Sequence, residues 1–378
     1  MRNTLFAITA FALLASTAQL SAQKIIKFDA PGAGTGANQG TWVRGINAFG
    51  LIDGGYKDTQ NVFHGFLRTN DGKFIPFDPP GLGTHNGQGP WPEGLPAGIN
   101  IMGAVVSNYT DVNYGTHGYV RAADGKITTF DAPGAGAGVS ASGNWLGTYP
   151  QTINDFGEIA GYYIDANDVW HGFFRDFRGK ITTFDAPGAG TLAGQGTFVN
   201  YTAPSLNDLG TLADYYQDAN NVFHGYLRTR EGKFIEIDAP PGMGTDPWEG
   251  VILSSINLEG VVTGICIAPG QWWHACARSR NGKWEVFDLF PSPDGAVTIG
   301  EQINNFGAIT GYAYDQIGFA VHGFLRSPDG KMTAIDVPGA GTEWPGGTEA
   351  DVINDLGMVA GTYTDANSVT HGWLRLPK

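Results

Sequence analysis

Charge is scarce in this sequence: only 15% of its 378 residues are Asp, Glu, Lys or Arg, against roughly 25% in ordinary soluble domains. Basic residues are the scarcer half, and 22 Lys and Arg against 36 Asp and Glu leave a net charge of −14. A surface of that sign repels phosphate backbones, which excludes nucleic acid as a partner. Cysteine is limited to two residues and forms no zinc pattern. Long apolar runs are missing too. The only candidate, Leu5 to Leu14, is too short to cross a bilayer as a helix, so no membrane insertion is expected. There is no nucleophile elbow, no His-Glu-x-x-His and no phosphate loop followed by a helix. No metal or cofactor is called for.

The apolar run has a different use. Arg2 precedes it, small residues follow it, and Ala22 suits the last position before a cleavage site. Residues 1–22 read as a signal peptide and residues 23–378 as the mature chain. No cysteine follows the run to take a lipid. The protein is expected to be secreted, extracellular or periplasmic, and to act as a monomer.

What the chain has in abundance is glycine, 57 residues, together with 12% aromatics. With 42% apolar residues it can build a core, and this mixture suits short strands joined by tight turns. One pattern recurs throughout, clearest from Ile153: INDFGEIAGYYIDANDVWHGFFRDFRGKITTFDAPGAGT. An Ile-Asn or Leu-Asn pair appears at Asn47, Asn100, Asn154, Asn207, Asn257, Asn304 and Asn354, spaced 47 to 54 residues apart. Each is followed by a histidine (His64, His117, His171, His224, His274, His322, His371) and an arginine four residues on, from Arg68 to Arg375. The spacing fits propeller blades. Each copy divides into four short antiparallel strands, a to d. Strand a ends at the Ile-Asn pair, and Asn154 and Gly157 form the turn into strand b. Asp165 and Asn167 lie in the turn into strand c, and Arg178-Gly179 turns the chain into strand d.

The mature chain begins with a strand d, KIIKFDAPGAGT from Lys24, and ends with a strand c, HGWLRLPK. The two fragments complete one blade. The expected fold is all-β: a seven-bladed β-propeller with four antiparallel strands per blade, its ring closed by the N-terminal strand completing the last blade. Closure removes exposed strand edges, and an open solenoid would need polar caps that are not visible.

On these residues the sequence resembles the HAF-repeat family of bacterial extracellular proteins, over essentially all of the mature chain. The signature here reads His-Gly-Phe or His-Gly-Tyr in most copies, and His274-Ala275-Cys276 in the fifth. Glycine for alanine departs from the family's His-Ala-Phe. The resemblance implies export and repetition but no reaction or ligand.

A residue present in every copy reads as structural. The seven histidines are expected to be hydrogen-bonding buttresses, bonded in most copies to the aspartate six residues earlier, such as Asp165 for His171. The Asp-Ala-Asn turns are open to two readings, an Asx turn or a calcium loop. Tyr163 and Phe173, with Tyr56 and Phe66 and further equivalents, are placed to pair across strands b and c. In the fifth copy those positions hold Cys266 and Cys276, which are expected to form a disulfide in an exported protein.

Function is sought where the copies differ. The loops from strand d to the next strand a vary most, and in propellers they share a face with the b–c turns around the channel mouth. They carry Trp91, Trp145, Trp248 and Trp344, with His85 as the only histidine outside the repeat. These tryptophans could stack on sugar rings or pack on neighbouring loops. Two residues before each Ile or Leu of the Asn pair, one position varies in charge: Arg44, Ala97, Gln151, Pro204, Ser254, Glu301 and Asp351. Arg44, Glu301 and Asp351 could hold a polar ligand, Glu301 and Asp351 could act as acid and base, or Arg44 and Asp351 could form a salt bridge across the closure. The first expectation is a propeller binding an extracellular glycan or protein through these residues. The alternative is a polysaccharide lyase or glycoside hydrolase with its site at the channel mouth.

Overall fold

The computed structural model describes residues 24–83, 89–90, 98–199, 205–290, 297–315 and 319–377. Among the described residues all regular structure is β, and no helix is long and apolar enough to cross a membrane. The segment read as a signal peptide, His85 and Trp91 lie outside the described residues.

The third copy shows the local logic. Strands Gly147–Ile153, Ile159–Ile164, Trp170–Arg175 and Ile181–Phe184 pair antiparallel in order. The a–b turn is fixed by Asn154, whose Oδ1 accepts the N–H of Phe156 and of Glu158. Gly157 closes that turn at φ 77°, where other residues are strained. Asp165 makes an Asx turn by accepting the N–H of Asn167 and Val169 at 2.8 and 2.9 Å. Asp218 and Asp365 do the same.

Strand a carries a register shift in five copies, at Val43/Gly45, Pro150/Thr152, Leu253/Ser255, Gly300/Ile303 and Glu349/Val352. The residues skipped are Arg44, Gln151, Ser254, Glu301 with Gln302, and Ala350 with Asp351. The column singled out for its changing charge is therefore a column of β-bulges, the device that re-aims side chains at the end of a strand.

Successive copies join through one parallel bridge, from the glycine opening strand a to the strand c before it: Gly147 to Thr116, Gly196 to Trp170, Gly250 to Phe223, Gly347 to Val321, and Gly40 to Thr370. Only glycine fits. Its φ lies between 121° and 142°, and a Cβ would fall on the carbonyl oxygen of the bridging residue.

The last of these bridges joins the first copy to the last, and three further observations join them again. Ile25–Phe28 pairs antiparallel with Thr370–Arg375, with Ile25 opposite Arg375. One apolar cluster unites Ile52 and Phe66 with Val352, Ala360 and Leu374. The asparagines of the repeat form a cycle. Each Nδ2 donates to the main-chain oxygen of the next asparagine, from Asn47 to Asn100, then Asn154, Asn207, Asn257, Asn304 and Asn354, and Asn354 donates to Asn47 at 2.9 Å. Every one is buried. The asparagine thus has two roles, of which the sequence suggested only the turn.

Two pairings differ from expectation. Tyr163 lies opposite His171, and Phe173 lies opposite Gly161. The tyrosine ring stacks on the histidine ring, at 4.9 Å in Tyr56–His64, Tyr163–His171 and Tyr216–His224. Register, not symmetry about the turn, decides partners, because a glycine on strand b makes room for the strand c aromatic. The histidine's closer carboxylate is also not the one expected. His171 Nδ1 donates to Asp185 at 2.8 Å, fourteen residues later, while Nε2 lies 3.7 Å from Asp165. The same pattern holds at His64, and His371 Nδ1 donates to Asp29 at the start of the chain. The nearer aspartate spends its oxygens mainly on its turn. This bond ties strand d to strand c within a copy, whereas Arg68, Arg121, Arg175, Arg228 and Arg326 reach the copy before, lying over Phe28, Phe77, Phe130, Phe184 and Phe287 of its strand d.

Cys266 and Cys276 form the expected disulfide, with a Cα separation of 5.9 Å. They are diagonal rather than opposite, since Cys266 faces His274 and Cys276 faces Gly264.

Candidate functional site

The d–a loops lie against the b–c turns, so the variable segments do gather on one face. The turn residues that receive them are left-handed and almost never glycine: Asn61, Tyr114, Asp168, Asn221, Gln271, Phe319 and Ser368 have φ between 54° and 65°. Their main-chain oxygens accept loop N–H groups, from Asn38 to Ser368, Gly194 to Asp168 and Trp248 to Asn221, at 2.7–2.8 Å. Their side chains hold the loops as well. Gln39 donates to Asn61, Gln195 to Asn221 and Asn144 to Asp168, each at 2.9 Å.

The tryptophans on this face behave differently from one another. Trp145 is half-buried, its ring 6.2 Å from Tyr114 on the neighbouring turn. It covers the loop, as its packing alternative requires. Trp248 is 52% exposed with its ring edge-on to Phe223, and Trp344 is 63% exposed beside Tyr314. Trp272 and Trp273 in the fifth copy are also exposed. They were passed over because they sit in strand c, yet Trp273 follows the same column as Trp170 and Phe223. Beneath the surface runs a line of stacked rings, Tyr149, Tyr162, Trp170, Phe198 and Tyr215, with successive centroids 4.6–4.9 Å apart.

The polar residues split into two groups. Arg44 is buried, and burial lowers its pKa to about 10 against the opposing charge of Asp53. Burial likewise raises Asp53 to about 8, with Arg44 opposing. Arg44 therefore has its main electrostatic partner on the next strand of its own copy. Asp351 contributes to it as well, but less. The second group is acidic. Glu301, Glu349 and Asp351 surround Tyr312, whose hydroxyl is pushed well above 10, first by burial and then by those charges. Burial raises Glu349 to about 7, and burial with the charge of Glu349 raises Asp351 well above the usual range. Glu301 is buried, whereas Glu349 and Asp351 keep accessible surface. At neutral pH both carboxyls are thereby biased toward their protonated forms. Glu349 was missed. It stands four residues before Ile353, in a column otherwise filled by Trp42, Tyr149, Ile252 and Ile299, and an acid among those would have flagged it. Among the described residues no group of three or more His, Cys, Asp or Glu is placed to hold a metal ion.

Of the residues predicted from sequence, Arg44, Glu301 and Asp351 thus fall into one electrostatic neighbourhood, while Trp145, Trp248 and Trp344 stand on the loop face outside it.

No family model matches the chain, and no curated protein does. Solved structures do. The chain is similar to selenomethionine-substituted virginiamycin B lyase from Staphylococcus aureus, with 13% identity, a TM-score of 0.52, and 94% of this chain and 99% of that one covered. It is similar to a streptogramin B lyase at 14% identity and TM-score 0.52, covering 94% and 98%. A lectin, BP39L from Burkholderia pseudomallei, matches at 11% identity and TM-score 0.49, covering 94% and 98%. At such identities the likeness to the two lyases is one of fold: an all-β chain of propeller type.

Proposed function

We propose that this chain is a closed seven-bladed β-propeller, exported and of HAF-repeat type, that binds a carbohydrate on its d–a loop face. The asparagine cycle and the pairing of Ile25–Phe28 with the last sheet support the closed ring. The Cys266–Cys276 disulfide supports an oxidising compartment.

Trp248 carries the binding reading. It sits at φ 70°, two residues before the glycine that opens strand a, and the residues at that offset that share its left-handed backbone are Asn38 and Gly194. Those residues occupy left-handed backbone cheaply, whereas a bulky side chain pays of order 1 kcal/mol for it. Trp248 bears that strain and leaves half of its surface in water, so its worth lies in what it contacts. An exposed indole stacks on the C–H face of a sugar ring. The acidic mouth favours neutral or amino sugars over uronic acids.

The test is a glycan array and calorimetry with Trp248→Asn, which restores the residue of the first copy. Binding falls by about tenfold or more, while the melting temperature holds or rises. Unchanged glycan binding in that variant would remove the reading. A second reading, a glycoside hydrolase, is favoured by one observation: Glu349 and Asp351 hold raised pKa values while retaining accessible surface. The same panel scored for turnover distinguishes it, since Glu349→Gln would abolish cleavage and leave stacking on Trp248 intact.

A further inference from the structure

The opposite face carries a feature that its local structure does not require. In each a–b turn the asparagine side chain and the glycine three residues later set the geometry. The residue between them, two after the asparagine, only projects into solvent. It is Phe49, Met102, Phe156, Leu209, Phe306 and Leu356 in six turns, each 57–70% exposed. In the fifth turn it is Glu259, so a polar residue serves the turn equally well. Six large apolar side chains therefore stand in a crown around the axis, exposed save where Arg230 lies over the Phe156 ring, the pattern of an interaction surface rather than of scattered exposure.

Inside the crown, the residue directly after each asparagine lines the axial opening, a space of ≈ 910 Å³ counted out to open solvent. Three of these are Asp155, Asp208 and Asp355. Asp155 is held above the usual carboxylate range by burial, with the charges of Asp208 and Asp355 adding to it. Outside the crown, the c–d turns carry both signs, as in Asp71 with Lys73 and Asp329 with Lys331. Arg230, from one of them, reaches the main-chain oxygen of Asp208.

We propose that this face docks a polypeptide that inserts a lysine or arginine side chain, flanked by apolar residues, into the axial opening. The layers match an interface: a mixed polar rim, an apolar ring and a charged centre. The charge selects the occupant. A second copy seated face to face would bring three aspartates against three. A flat lipid surface would seal the aspartates away from water without supplying a cation. A protruding basic side chain neutralises them, and its apolar neighbours cover the crown.

The experiment pans a displayed library of constrained loop peptides on the full-length protein, on Phe49→Ser/Phe156→Ser/Phe306→Ser, and on Asp155→Asn/Asp208→Asn. Asparagine suits that position, since Asn305 already occupies it and accepts the N–H of Leu258 as Asp155 accepts that of Ile101. Retained loops are expected to carry Lys or Arg between apolar residues, and both variants to retain them about tenfold less well. Trp248→Asn, on the other face, leaves retention unchanged, so this result stands or falls separately from glycan binding. Circular dichroism confirms that the variants are folded. The proposal is overturned by loops without a basic residue or by retention that survives both variants. It is equally overturned by no enrichment, or by self-association or binding to phosphatidylcholine–phosphatidylglycerol vesicles that the crown substitutions abolish.

Discussion

The a–b turns and the d–a loops of the copies are built on opposite principles. On the a–b turn face the copies are nearly alike: the asparagine and glycine recur in all seven, and six project an apolar side chain. On the d–a loop face they diverge: Trp248 stands where Asn38 and Gly194 stand elsewhere, and Trp344 where Ala37 and Ala193 do. Repetition gives a surface with rotational regularity, suited to a partner seated on the axis. Divergence gives a unique, off-axis spot, suited to one small ligand. Both faces hang on a shared frame, so substitutions can separate what belongs to the frame from what belongs to each face.

The frame is hit hardest at its tightest contact. Gly40→Ala places a Cβ on the Thr370 carbonyl oxygen at φ 126°, and is expected to cost about 3 kcal/mol or more in urea denaturation, degrading both faces together. Next comes a single turn, where two neighbouring substitutions should part company. Asn154→Ala removes the donation to Asn207 and two accepted N–H groups, at about 1–3 kcal/mol. Phe156→Ser, two residues on, is expected to change stability by about 0.5 kcal/mol or less. If Phe156→Ser proved as costly as Asn154→Ala, the crown would be part of the frame.

The smallest effect is with pH. His64 and His171 are raised above their usual value, first by the hydrogen bonds to Asp78 and Asp185, with burial opposing. Their protonated forms are thus favoured in the native state. The stabilisation is complete below the unfolded value near about 6.5 and is lost as pH rises through the folded value. The melting temperature is therefore expected to fall on going from pH 6 to 8, and Asp185→Asn to flatten that slope.

Much of this was legible in the sequence because the chain states it several times over. Strand order, the Asx turns, the Cys266–Cys276 bond and the gathering of variable loops all follow from columns that recur. Other features escaped for physical reasons. The Asp185 partner of His171 lies across strand d, at an offset set by sheet register rather than by the nearest turn. Asp53 and Glu349 are single departures from columns that are otherwise small or apolar, and burial, which makes them matter, has no mark in the sequence. The crown was visible all along, as a large apolar residue before six of the seven turn glycines. It was hidden only because the asparagine and glycine already accounted for the turn.

The strand Ile25–Phe28 sets the timetable of assembly. It precedes every other described strand, yet its partners, Gly372 to Arg375, belong to the last of them. Leu376 N–H ends beside the oxygen of Lys24. Until that strand finds its seat, the final sheet shows a bare edge to any other chain with strands to offer, and the contact that protects it spans the greatest sequence distance in the molecule. The longer that interval lasts, the more readily one molecule can lend its first strand to the last sheet of another.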